Sequence, residues 1–359
     1  MNIVHIFFIL TWVLPSAHSF ISSPTTLSIG CRRNRLSIDA ENVVETSEIT
    51  QVSSEPPITP PPPQKLQEMV ELMRLRKNVL PVTILCVLSG YVTNPYSWHT
   101  WIHSPPFLAA FTMVQMITAS SMIINDIYDV DIDRINNPTR PLVTGTISIR
   151  EASQLVRILL SISCYLGLQF LPPVVDPIWI TSILMIAIYT PVLKKITLVK
   201  NISCAMVVAS TVPFIGMATL NPLEQTTATS MANLPLMLLT SQNIFFSSLY
   251  IESLLDILDM KGDNASGIHT IPVIFGKHIT LLMIGCVLLG FNIYMLFDPN
   301  TYTIISTLTI YLPYYIQLYR IGFANNEKDT RLYIHQAIKG TTIAMGWYFL
   351  ISTSVLGGL

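Results

Sequence analysis

Two aspartate trios carry most of the chemistry this chain can offer. In "NDIYDVDIDRINNPTRPLVTG", Asp126, Asp129 and Asp133 stand at i, i+3 and i+7, and "DILDMKGDNASGIHTIPVIFGK" repeats that spacing with Asp256, Asp259 and Asp263. On a helix, residues so spaced share one face, so each trio projects three carboxylates toward a common point. Three like charges repel, and they repel strongly where the surroundings have a low dielectric. A hard divalent cation relieves this. Mg2+ fits best, because it takes one or two carboxylates and completes its shell with water and phosphate oxygens. Two acidic faces across a gap therefore read as a metal-diphosphate clamp. A solvated helix end explains one such cluster more readily than two with identical spacing. An EF-hand loop over "DVDIDRINNPTR" fails, since its sixth position is Arg134 rather than Gly and its twelfth is Arg140 rather than Glu. Acidic rings of channels and transporters usually sit near the bilayer midplane, whereas these trios close apolar runs.

The elements that must hold the trios are apolar. Over 359 residues, 51% are hydrophobic and only 11% charged, with a mean hydropathy of +0.53, which is a polytopic membrane composition. The net charge of −1 gives no reason to expect nucleic acid, and no protein partner can be read from the chain. Cys31, Cys86, Cys164, Cys204 and Cys286 have no metal or redox spacing. The expected fold class is an all-α membrane protein of about nine transmembrane helices, two four-helix repeats plus one helix. The spans fall near 79–95, 106–124, 152–171, 177–193, 202–220, 233–251, 279–296, 302–319 and 338–357. Lys and Arg alternate strictly between connections: before span 1, then after spans 2, 4, 6 and 8. That fixes one basic side, and both trios belong to it.

The first residues differ from the rest. Residues 1–19 end in the small-x-small pattern Ala17-His18-Ser19 and read as a signal peptide. Residues 20–37 are rich in Ser, Thr and Arg without acids, a transit-like segment. Residues 38–63 form an acidic, proline-rich linker expected to be disordered. Residues 64–359 form the membrane domain, opening with the amphipathic "QKLQEMVELMRLRKN". The two leader segments resemble the bipartite plastid presequence of diatoms and related algae. This implies a thylakoid or inner-envelope protein with its site facing the stroma.

The residues from about 70 to 357 resemble the UbiA superfamily of intramembrane prenyltransferases. The first trio matches its NDxxDxxxD motif, the second its DxxDxxxD motif, and "YTPVLKKITLVKN" (189–201) its Tyr-Thr/Ser-x-x-Leu-Lys-Arg/Lys segment. The resemblance implies that Asn125, Asp126, Asp129, Asp133, Asp256, Asp259 and Asp263 hold Mg2+ against an isoprenoid diphosphate. Arg140, Lys194 and Lys195 would contact its phosphates. Tyr189 would align a hydrophobic or aromatic acceptor or steady a developing cation, and Asn78 and Arg76 would serve the acceptor side. Where relatives often have Glu-Gly-Asp-Arg/Lys, this chain has Lys261-Gly262-Asp263-Asn264, so Lys261 is expected to replace the missing phosphate contact. The implied reaction is prenyl transfer in quinone, tocopherol or pigment synthesis. Chlorophyll-synthase-type esterification and prenyl ether-lipid synthesis are alternatives, as is a membrane binding or transport protein that has lost catalysis.

Overall fold

A computed structural model describes residues 62–220, 234–297 and 301–356. The expected signal peptide, transit-like segment and nearly all of the linker lie outside the described residues. The regular elements among the described residues are helical. Helix α1 (Pro62–Leu72) leads into α2 (Leu75–Thr93), the single turn α3 (Trp98–Trp101) and the long α4 (Pro105–Tyr128). Two short helices, α5 (Val130–Asn136) and α6 (Pro141–Thr144), precede α7 (Ile149–Phe170) and α8 (Asp176–Tyr189). A 3-10 turn at Leu193–Lys195 is followed by α9 (Val199–Ala218), α10 (Leu234–Ala265), α11 (Ile271–Met295), α12 (Thr301–Gly322) and α13 (Glu327–Leu356).

Among the described residues, nine of these helices overlap the nine expected spans, and six are long and apolar enough to cross a membrane: α2, α4, α7, α9, α10 and α11. Helix α8, with 14 residues, is about 21 Å long, short of a hydrocarbon core of ~30 Å. Helix α4 packs along α7, α9 along both α10 and α2, and α12 along α13. Small residues let these helices approach closely: a Cβ on Gly167 of α7 would meet the Trp179 ring of α8 at 3.0 Å. In the second half of the bundle, Tyr250 of α10 stacks on Tyr314 of α12 at 4.6 Å between ring centroids, and Phe246 stacks on Phe291 of α11 at 4.2 Å.

Local sequence fixes the ends that matter. Ser104 caps α4 by accepting from the Phe107 amide at 3.3 Å, with prolines in the first turn. Ser148 and Glu151 form a capping box at the start of α7. The first trio does not lie on one unbroken helix as its spacing predicts. Helix α4 ends at Tyr128, and Asp129 joins it to α5 through a non-helical residue (φ −98°, ψ 8°). The i→i−4 bonds continue across the join, from the Asp129 amide to Asn125 (3.0 Å) and from the Asp133 amide to Asp129 (2.7 Å). The second trio does sit on one continuous helix, because α10 runs on past the apolar segment to Ala265.

Candidate active site

Both trios meet at one cavity of about 500 Å3. Asn125, Asp129 and Asp133 line it from α4 and α5, and Asp256, Asp259 and Asp263 from α10. Asp126 does not line it. Its carboxylate is buried behind the wall and accepts from Arg74 at 2.6 Å and Arg140 at 2.8 Å, so it positions two guanidinium groups that do reach the cavity. Arg140 also pairs with Asp133, which accepts in addition from Asn137 at 3.2 Å. Burial pushes the Asp133 carboxyl above the usual carboxylate range, and the Arg140 charge opposes that shift. Lys194 pairs with Asp129 and donates to Asn125 at 3.2 Å. On the other wall, Lys200 pairs with Asp256, which accepts from Asn201 at 2.9 Å.

Asp259 and Asp263 stand apart. Neither has a Lys or Arg partner among the described residues, and the buried Asp263 Oδ2 has no hydrogen-bond partner. An unpaired buried carboxylate is unfavourable on its own. With Glu252, seven carboxylates gather at this wall against Arg74, Arg140, Lys194 and Lys200, which pair with them, and Arg331, which lines the cavity while pairing with Glu327. Among the described residues no three acidic, His or Cys side chains are arranged to hold a metal by themselves. The donors are all carboxylate or amide oxygens with surplus negative charge, which suits a hard cation whose remaining ligands come from water and phosphate.

Away from this charged end the lining turns apolar, with Val114 and Ile117 of α4, Trp179 of α8, and Val208, Thr211 and Phe214 of α9. From Lys200 to Phe214 along α9 is about 21 Å. Tyr189 also lines the cavity, between the two ends.

Lys261, Arg76 and Asn78 lie elsewhere. Lys261 points away, 70% exposed, and pairs with Glu327 of α13 at 2.5 Å. A residue two positions from Asp259 and from Asp263 is turned about 200° from each on a helix, so the continuity of α10 carries Lys261 to the far side. Arg76 is exposed and Asn78 half-buried, and neither lines the cavity. Lys195 belongs to the 3-10 turn, and its side chain lies outside the described residues. Arg74, rather than Arg76, reaches the cavity, at its charged end, because its left-handed backbone (φ 52°, ψ 31°) breaks the chain between α1 and α2. Lys200, Asn201 and Glu252 join the site although the aspartate spacing marks none of them. Glu252 did carry a signal, a carboxylate inside an apolar run four residues before Asp256.

Two expected outcomes follow from these placements. Lys261→Gln should leave the donor KM within about twofold of wild type, as for a surface change away from the site; a selective rise in donor KM would return Lys261 to the phosphates. Gly262 abuts the first motif, and a Cβ there would come within 2.6 Å of the Asn136 side-chain amide carbon. Asn136 lines the cavity. Gly262→Ala should therefore lower kcat/KM by up to about tenfold in steady-state assays, the equivalent of ~0.5–1.5 kcal/mol for a side chain forced off its rotamer.

A bundle of apolar helices around a pocket with ion pairs at one end and hydrocarbon walls at the other defines an integral membrane protein with an amphiphilic cavity. The chain belongs to the UbiA prenyltransferase family, whose model matches residues 83–350, and it is a prenyltransferase. It is 30% identical over 260 residues to the digeranylgeranylglyceryl phosphate synthase of Sulfurisphaera tokodaii, covering 69% of this chain and 88% of that one. It is 28% identical over 284 residues to the synthase so named from Methanosphaera stadtmanae, covering 77% and 94%. A solved structure concerned with digeranylgeranylglyceryl phosphate synthase in membranes superposes with a TM-score of 0.58 at 23% identity, covering 81% of this chain and 99% of the other. A UbiA homolog from Archaeoglobus fulgidus bound to GPP and Mg2+ gives 0.54 at 18% identity, covering 79% and 99%.

Proposed function

We propose that the chain transfers an isoprenoid group from its diphosphate to a hydroxyl of a lipophilic acceptor, with Mg2+ assisting. The observation that carries this reading is the cavity that joins surplus carboxylates and five cations, Arg331 with the four above, to an apolar channel. Asp259 and Asp263, with Asn125 and Asp129 opposite, are the residues that would hold the ion. When bound, Mg2+ would neutralise charge on the diphosphate and make it a better leaving group.

Every other contribution belongs to the chain. Arg74, Arg140, Lys194 and Lys200 exchange carboxylate partners for diphosphate oxygens and compensate the charge that grows as the allylic C–O bond breaks. Asp126 and Asp256 keep these cations aimed. Val114, Trp179, Val208 and Phe214 sheath the chain and keep water from the allyl cation. Tyr189 presents its ring or hydroxyl between the two regions.

The relatives named digeranylgeranylglyceryl phosphate synthase support an acceptor whose hydroxyl becomes an ether. The aromatic lining by Trp179, Tyr189 and Phe214 supports the second reading, a ring acceptor of quinone, tocopherol or pigment synthesis. Purified protein with Mg2+ and labelled geranylgeranyl, phytyl or solanesyl diphosphate should separate them. An ether product with geranylgeranylglyceryl phosphate is expected; exclusive turnover of homogentisate or a dihydroxynaphthoate would select the ring reading. We further read residues 1–37 as plastid targeting. Fused to a fluorescent reporter in a diatom they should direct it to the plastid, and a secreted or cytosolic reporter would contradict this.

A further inference from the structure

Glu252 is the one carboxylate at the cavity that neither aspartate motif accounts for. It lies on α10 one turn before Asp256, about 6 Å farther from the charged end, and lines the cavity with Tyr189 and Cys204. Its Oε1 accepts from the Cys204 thiol at 3.1 Å. No Lys or Arg pairs with it among the described residues. Lys200–Asp256 and Cys204–Glu252 are successive rungs between the antiparallel α9 and α10, so the second rung sits where the ion-paired end gives way to hydrocarbon. An ionisable group at that depth without a cation is costly, and a thiol is a weak donor that offsets little of the cost. Packing alone would be served by an apolar side chain of similar size.

Resting on the transfer reading above, we propose that Glu252 is a catalytic residue: it receives the proton of the acceptor hydroxyl. The balance is simple. The donor C1–O bond breaks and its electron pair leaves with the diphosphate. The acceptor oxygen forms the new bond to C1, and its proton passes to the Glu252 carboxylate. The motif aspartates are badly placed for this, because Asp126, Asp129, Asp133 and Asp256 are each held by a Lys or Arg. Asp259 and Asp263 are the ion's donors in our reading and sit at the phosphate end. Glu252 is one turn toward the tail, level with the reacting carbon if the diphosphate occupies the ion-paired region. Facing it are Cys204 and Lys200 of α9, Asp256 of its own helix, Tyr189 at the end of α8 and Lys194 in the turn that follows. The substrate class implied is a protic acceptor, an alcohol or phenol with an apolar body.

Glu252→Gln keeps the shape and still accepts from Cys204. It should lower the transfer rate about 10²–10⁴-fold, leave binding of a non-reactive geranylgeranyl thiolodiphosphate unchanged, and steepen the dependence of rate on acceptor acidity, so that a fluorinated, more acidic alcohol recovers part of the loss. Glu252→Asp should recover part of it as well. A Glu252→Gln enzyme with near-wild-type turnover overturns the assignment. So does a fall in turnover matched by an equal fall in donor-analogue binding, which is the mark of a structural rung. A wild-type protein that yields no prenylated product with any acceptor instead overturns the transfer reading itself.

Discussion

Replacing Asp259 and Asp263 by asparagine should each lower kcat/KM by about 10²–10³-fold, the usual loss when a preorganised charge stabiliser is removed, and the double variant should lack measurable turnover. Folding should survive. Among the described residues neither holds a salt bridge, and Asp263 Oδ2 is buried without a partner, so an amide removes repulsion without orphaning a cation. The thermal midpoint in detergent without Mg2+ should be unchanged or higher than wild type. Wild type should gain stability as Mg2+ and a donor analogue are added, in proportion to the logarithm of their concentration, and the double variant should not. Residual turnover near wild type would place the ion elsewhere.

Lys200→Met should have the largest effect on stability. Lys200 and Asp256 are 8% and 4% exposed, and removing the lysine leaves a buried carboxylate supported only by Asn201. Breaking such a pair costs about 3–5 kcal/mol, readable as a lower midpoint in denaturant titration of micellar protein. The informative variant is the double, Lys200→Met with Asp256→Leu. It should recover most of the lost stability while turnover stays abolished, because an apolar pair can replace a buried ion pair in packing but not in holding diphosphate. If the double variant is as unstable as the single, the α9–α10 contact depends on more than that pair.

Much of this was legible in the sequence because it is periodic. The aspartate spacing marked both trios, and apolar length marked the helices. What failed did so where periodicity stops. The left-handed backbone of Arg74 changes which arginine of "RLRKN" turns inward, and no pattern in those letters states it. The break at Asp129 bends the first trio while keeping its hydrogen bonds. Lys261 is expected at the phosphates only by comparison with relatives that carry a basic residue after Gly-Asp; on the continuous α10 its phase sends it outward, to Glu327. The same phase puts Glu252 on the inner face with Asp256, so that residue was readable once α10 was known to continue. Lys200 was not, since three lysines within seven residues look alike until the start of α9 is fixed. Asp126 shows the limit of motif reading, for a residue of the pattern serves behind the wall rather than on it.

The most direct test of the cavity as the donor site is photo-crosslinking with an isoprenoid diphosphate bearing a photoreactive group near its tail, mapped by mass spectrometry with and without excess geranylgeranyl diphosphate. The account predicts Mg2+-dependent label on the channel wall, at Val208, Thr211, Phe214 or Val114, suppressed by the competitor. Label confined to outward-facing positions such as Leu282 or Tyr294, which are 66% and 62% exposed, and indifferent to competitor and Mg2+, would contradict it.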